Sequence, residues 1–261
     1  MKIILFVLAA APLVGTVRAD DVWVLQGNAQ SALEGNILLY LYTSDVLFYN
    51  RSTSSARIRV LEISNGQLLT TDRELILDPA RSTSIARANK AWRPDTSATL
   101  WVTHLDVPPG VIVESRISVG QQCTVCGNVP RPGIFGKLSF PVMRSLQTPL
   151  VPKIHLGTDL HAVPARNNVA VYNDAVFTAH AHIDVHQMCD ESIIDSRDIE
   201  IPAKTVIQLN NLSTATNNCT SDGAEYTYVA VTVDQPSLSW VSSLSNADRI
   251  KIVWAATSSS P

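Results

Sequence analysis

In the segment Ala179-His180-Ala181-His182-Ile183-Asp184-Val185-His186, polar and apolar residues alternate without interruption. An extended chain turns successive side chains to opposite faces. His180, His182, Asp184 and His186 therefore share one face, with Ala181, Ile183 and Val185 on the other. A His-x-His pair brings two imidazoles within reach of one ion. Zinc or copper accepts such donors, with Asp184 as the nearest third ligand. At ~3.3 Å per residue, His180 and His186 stand about 20 Å apart, too far to ligate one ion together. A solvated strand face is the plainer assignment, because the aligned positions in the first half of the chain are Arg57 and Arg59. No cofactor is expected on that assignment; the alternative is a zinc or copper ion on His180, His182 and Asp184.

Cys123-Thr124-Val125-Cys126 has the spacing of a redox pair. A reactive thiolate of that kind draws on the positive end of a helix, whereas Gly127, Pro130 and Pro132 follow here. A disulfide clamping a loop is expected instead. Cys189 and Cys219 form the second expected pair, closing about 30 residues, worth ~3 kcal/mol in the chain-entropy account. Four cysteines permit three pairings, and their distribution favours one within each half. No Gly-x-Ser-x-Gly, phosphate-binding glycine loop or His-Glu-x-x-His is present, so a non-enzymatic chain is expected. Asn50, Asn211 and Asn218 each open an acceptor sequence for N-glycans. Trp23, Trp92, Trp101, Trp240 and Trp254 are expected in core or rim packing rather than on a sugar-stacking surface.

The elements that carry these residues read as strands. Phe48-Tyr49-Asn50 aligns with Val171-Tyr172-Asn173, and Arg57 to Val60 with His180 to Ile183, both 123 residues apart. Pro79-Ala80-Arg81 meets Pro202-Ala203-Lys204 at the same separation, and Val102 to Ile117 meets Val229 to Leu244 at 127. A repeat of this length predicts a duplicated domain, since solenoid units run about 20–50 residues. Strands are predicted at 45–49, 57–63, 73–77, 82–86, 99–105 and 111–119. In the second copy they fall at 169–173, 179–188, 197–201, 204–209, 226–233 and 237–244. Residues 86–95 offer one helical turn at most. Two facing sheets bury the apolar faces that a single sheet leaves in water, which predicts sandwiches. The expected fold is all-β: two tandem immunoglobulin-like β-sandwich domains, residues 20–147 and 148–261, after a cleaved signal peptide at 1–19. Leu146 to Pro152 is the predicted linker.

Export is expected from Lys2, the apolar run Ile3 to Gly15, and small residues Val17 and Ala19 before a cut at Asp20. That run falls short of the roughly 20 residues a spanning helix needs, so stable membrane insertion is not expected. Cleavage leaves 18 basic against 23 acidic residues and no basic run, which excludes a nucleic-acid backbone as partner. A secreted or periplasmic location follows.

Val46 to Asn50, Arg57 to Ile63, Leu77-Asp78-Pro79 and Gly133-Ile134-Phe135-Gly136 before Phe140-Pro141 make up one set of strand and turn motifs. Arg166 to Asn173, Pro202, Tyr228 to Val231 and Asp234-Gln235-Pro236 make up another. Together they resemble a module of secreted bacterial proteins of unassigned function, over most of residues 37–250. The resemblance implies an immunoglobulin-like fold without catalytic residues. The expected role is a secreted structural or protein-interaction module for an unknown protein or cell-surface partner. The alternatives are a metal-binding protein using the His180/His182 face and a periplasmic two-domain chaperone. The chaperone alternative rests on Arg144, Lys153 and Arg166 near the domain boundary.

Overall fold

The computed structural model describes residues 19–33, 38–65, 68–69, 73–84, 99–123, 133–140, 154–156, 166–187, 190–210, 212, 227–244 and 255–259. Every regular element among them is a β-strand, and all pairings are antiparallel. The predicted linker and the helical turn at 86–95 lie outside the described residues.

The first half holds β1 (Asp20–Leu33), β2 (Leu38–Asn50), β3 (Ala56–Ser64), β4 (Leu68–Leu69) and β5 (Arg73–Leu77). It continues with β6 (Ser82–Ser84), β7 (Thr99–Val107), β8 (Val111–Cys123) and β9 (Gly133–Phe140). These nine strands form one connected sheet, β4-β3-β7-β1-β2-β8-β9, with β5 on β3 and β6 on β2. β1 makes the connection: Asp20–Asn28 pairs with β7, and Ala29–Leu33 pairs with β2. Where β1 changes partners, the Gly27 amide donates to Ser44 Oγ at 2.8 Å and Ser115 Oγ donates to the Leu25 carbonyl at 2.9 Å. Those hydroxyls replace ladder bonds the crossing strand gives up, since a buried backbone group without a partner is costly. Both arms contribute to one core, with Val22, Val24, Ile58, Trp101 and Leu105 from one and Val46, Phe48, Val111 and Val113 from the other.

The second half holds β10 (Ile154–Leu156), β11 (Arg166–Asn173), β12 (Ala179–Gln187) and β13 (Ile193–Ile201). β14 (Val206–Leu209), β15 (Thr227–Val233), β16 (Ser237–Leu244) and β17 (Ala255–Ser259) complete it. They form two sheets, β10-β15-β12-β13 and β14-β11-β16-β17. Val169 and Val171 of the second sheet meet Ala181, Ile183, Val185, Val229 and Val231 of the first in a single core.

The pairings of the first half recur in the second. Asn50 opposes Val111 as Asn173 opposes Ser237, and Arg59 opposes Asp106 as His182 opposes Thr232. Ala56 opposes Leu77 as Ala179 opposes Ile201. These pairs correct the sequence alignment by one residue in two places. Leu77 corresponds to Ile201, 124 positions on, and Val111 to Ser237, 126 positions on. The prolines misled the alignment: the turns are Asp78–Arg81 and Pro202–Thr205, closed by Arg81 N to Asp78 O at 3.2 Å and Thr205 N to Pro202 O at 3.3 Å. Pro79 therefore has Ala203, not Pro202, as its counterpart.

A buried asparagine fastens each half at the matched place. Asn50 Nδ2 donates to the carbonyls of Ser54 and Leu77, both at 2.8 Å, and its Oδ1 accepts the Ser52 amide at 2.9 Å. Asn173 Nδ2 donates to Phe177 O at 2.6 Å and Ile201 O at 2.9 Å, and its Oδ1 accepts the Ala175 amide at 2.9 Å. The Asn50 side chain is thus sequestered, which removes it as a glycan acceptor in the folded chain; Asn211 and Asn218 lie outside the described residues. Ala80 (φ 56°) and Lys204 (φ 54°) occupy matched left-handed turn positions. Gly110 (φ 86°) turns β7 into β8, and a Cβ there would stand 3.2 Å from Ser52 Cβ.

A third apolar cluster joins the halves. Trp23, Leu25, Leu100 and Val102 from β1 and β7 pack with Ala170, Tyr172, Val206, Leu238 and Trp240 from β11, β14 and β16. Beside it, Lys204 Nζ lies 3.5 Å from Glu62 Oε2 of the first half and 3.0 Å from Asp174 Oδ1 of the second. Trp101 is buried with its indole N–H donating to Gln26 Oε1 at 3.0 Å. The described tryptophans, Trp23, Trp101 and Trp240, are all buried, while Trp92 and Trp254 lie outside the described residues.

Candidate functional site

β12 is flanked by β13 and β15, and its alternation places Ala179, Ala181, Ile183 and Val185 in the core. The opposite face carries His180 and His182 fully outward, with Asp184 and His186 partly covered. The face predicted from the period of two is the face observed.

His180 and His182 each meet two carboxylates, whereas His186 does not. His180 is hydrogen-bonded through Nδ1 to Asp234 Oδ2 at 2.9 Å, and its backbone N–H donates to Asp234 Oδ1 at 2.8 Å. Glu200 of β13, its cross-strand partner, stands 3.9 Å from Nε2. His182 Nδ1 meets Asp198 Oδ1 at 2.6 Å, and Nε2 meets Asp184 Oδ2 at 3.1 Å. His186 stacks on Tyr228 of β15, centroids 4.8 Å apart and rings 6° from parallel, with Nδ1 3.0 Å from the Glu191 carbonyl. His180, His182, Asp198, Glu200, Thr232 and Asp234 line an open groove of about 510 Å³.

These contacts set the charge of the face. The Asp234 hydrogen bond raises the pKa of His180 above the ordinary imidazole value, and the Asp198 hydrogen bond, reinforced by the charge of Asp184, raises that of His182. Asp234 is held below the usual carboxylate range, first by the His180 backbone N–H and then by its ring. The arrangement favours imidazolium–carboxylate pairs over free bases, because His182 has a carboxylate at each nitrogen.

Of the three expected metal ligands, His182 and Asp184 come together directly, while His180 turns toward Asp234 and Glu200. Among the described residues no three His, Cys, Asp or Glu side chains are grouped to hold a metal ion. Asp184 Oδ1 is buried and has no hydrogen-bond partner among the described residues. Cys123 ends β8 with its backbone opposite Leu38; Cys126, Cys189 and Cys219 lie outside the described residues. Asp198, Glu200 and Asp234 were not anticipated. Asp198 and Glu200 repeat the i, i+2 spacing of His180 and His182, but only the register of the β12–β13 hairpin sets the two pairs against each other.

The first half carries a different face at the same positions. Arg57 and Arg59 stand where His180 and His182 do, opposite Ile76 and Glu74. Arg57 pairs with Glu74 at 3.3 Å, and Ile76 is exposed.

No protein-family profile and no curated protein matches the chain. Among solved structures it is similar to Bacteroides uniformis β-glucuronidase 2 covalently bound to cyclophellitol-6-carboxylate aziridine, at 11% identity and a TM-score of 0.21. That match covers 93% of this chain and spans 26% of the glucuronidase chain.

Proposed function

We propose that the chain is an exported, non-enzymatic interaction module built from two immunoglobulin-like sandwich units. Recurrence of the strand pairings and of the buried asparagine at matched positions supports the two-unit reading. Lys2, the Ile3–Gly15 run and the small residues Val17 and Ala19 support export to a secreted or periplasmic location. The observation that carries the functional reading is the groove face of β12 and β13. Its imidazole–carboxylate pairs sit on a sheet backed by core, which presents fixed charge to a protein or cell-surface partner. A photo-crosslinking residue at Thr232, inside the groove, tests this on producing cells. A defined crosslinked product is expected there and not at Thr53 of the first half. Equal labelling at both positions contradicts the reading.

The cross-strand register favours a second reading, a zinc or copper site. It sets Asp198 and Glu200 opposite His182 and His180, adding two carboxylates to Asp184 of the strand itself. Rotation of His180 about its side-chain torsions is required to bring the donors together. Metal analysis of the purified chain against His180→Ala/His182→Ala decides it: stoichiometric metal lost on substitution favours the site, and none in either protein removes it.

A further inference from the structure

Asn173 fixes the turn between β11 and β12 as Asn50 fixes the turn between β2 and β3. One holds the Phe177 carbonyl and the Ala175 amide, the other the Ser54 carbonyl and the Ser52 amide. The first half builds this turn with Thr53 and Ser54. The second half places Val176 and Phe177 there, 71% and 70% exposed. The turn therefore forms without apolar side chains at these two positions, and the second half displays them to water on a fixed backbone. Neighbouring large apolar side chains held in that way suit a contact surface. The groove begins at the same end of the sheets. His180 follows Phe177 by three residues, within about 11 Å along the chain. The Asp174 amide donates to the Pro236 carbonyl at 2.9 Å and the His180 amide to Asp234 Oδ1 at 2.8 Å, which ties the apolar turn to the acidic one.

We infer that Val176, Phe177 and the groove form one docking surface for a partner protein that presents an extended basic segment with an apolar side chain at one end. Charge selects the basic segment. Asp198, Glu200 and Asp234 line the groove against His180 and His182, and no lysine or arginine lines it. The excess is negative whether or not the imidazoles carry protons, so a cationic segment is drawn in and an acidic one repelled. The side chains of Asp198 and Glu200 are 86% and 77% exposed, open to a second partner. Spacing selects the extended form. Asp198 and Glu200 are alternate residues of β13, about 7 Å apart, which is also the repeat of alternate side chains in an incoming extended chain. Lysine or arginine at every second position thus meets Glu200 and then Asp198, while an apolar residue ahead of them meets Phe177. Glu74 and Ile76 hold the matched places in the first half, so the acidic pair is no requirement of the strand pairing. The inference rests on the groove being an interaction surface and adds the chemistry of what it receives.

Fluorescence anisotropy of labelled peptides titrated with the whole chain tests it. The probe alternates lysine with threonine and ends in leucine; one control replaces lysine by glutamate, the other leucine by serine. Selective binding of the lysine probe is expected, about tenfold weaker for the serine-ended control and for Val176→Thr/Phe177→Ser. Asp198→Asn/Glu200→Gln is expected to weaken it about tenfold and to remove most of its salt dependence. Circular dichroism checks the fold of both variants, which is expected to hold because the first half carries threonine and serine in the matched turn and the two carboxylates are exposed. Equal affinity for the lysine and glutamate peptides, no binding at low salt, or binding that either variant leaves intact overturns the inference. So does retention on anionic-lipid vesicles, lost in Val176→Thr/Phe177→Ser, without peptide binding, which assigns the turn to a lipid surface. A defined Thr232 crosslink beside any of these failures keeps the groove as an interaction surface and removes only the chemistry inferred for its partner.

Discussion

Replacing Asn173 by alanine removes one donor group and one acceptor from a side chain that is itself fully buried. The Ile201 carbonyl at 2.9 Å is buried, and its loss costs about 1–3 kcal/mol, the desolvation penalty of an orphaned polar group. The bonds to Phe177 O and Pro202 O and from the Ala175 amide are only partly buried. Water replaces part of each, so they add about 0.5 kcal/mol apiece. The total is about 3 kcal/mol, a large share of the ~5–15 kcal/mol that holds a domain folded. With a urea dependence near ~2 kcal/mol per molar, the midpoint falls by about 1.5 M. Asn50→Ala removes the matched set, with Leu77 O buried at 2.8 Å, and is expected to cost about the same. Asn173→Asp keeps the acceptor but loses the donors and buries a charge, so it is expected to be worse than alanine at neutral pH. Urea unfolding of the three variants measures this. A loss below about 1 kcal/mol for both alanine variants refutes the assignment of these side chains as fasteners.

Other consequences are as direct. Histidine resonances followed by NMR are expected to titrate above the ordinary imidazole value for His180 and His182, and Asp234→Asn is expected to bring His180 back toward it. Because both folded-state values are raised, their stabilisation is complete below the unfolded imidazole value, about 6.5, and fades as pH rises through the folded values. Asp234 works in the opposite sense: its contribution is present above the ordinary carboxylate value and lost as pH falls through its lowered one. Lys204→Met leaves Glu62 and Asp174, 14% and 17% exposed, facing each other without their cation. A loss of about 2–4 kcal/mol is expected by chemical denaturation, restored in part by Glu62→Gln in the same chain. Ala80→Gly relieves a left-handed alanine (φ 56°) and is expected to stabilise by about 0.5–1 kcal/mol, read as a raised urea midpoint. N-terminal sequencing of the exported protein is expected to begin at Asp20; retention of residues 1–19 contradicts the export reading.

What the sequence disclosed was whatever alternation alone determines. The two faces of β12 could be read residue by residue, because one side is Ala, Ile and Val and the other His and Asp. β1 was missed as a strand. Its role depends on changing partners between the two arms of one sheet, which no local period encodes, and its outward residues Trp23 and Leu25 are apolar because the second half covers them. A strand buried on both sides loses the alternation that announces it. The carboxylate half of the groove was equally hidden. Asp198 and Glu200 lie on an ordinary polar strand, and only the β12–β13 register sets them against the histidines. Asp234 joins through a turn on the far side of the sheet. The strand pairings recur at the spacing read from the strands and one residue away from it at the turns, where matching prolines drew the alignment while the hydrogen bonds followed the buried asparagine.

The account stands on two halves built by the same strand pairings. Cross-strand NOE contacts in the isotopically labelled chain test that most directly. The account predicts contacts between Asn50 and Val111, Ala56 and Leu77, and Val60 and Leu105, and their counterparts between Asn173 and Ser237, Ala179 and Ile201, and Ile183 and Val231. Contacts that pair β2 with β11, or the contact pattern of helix across β12, contradict it.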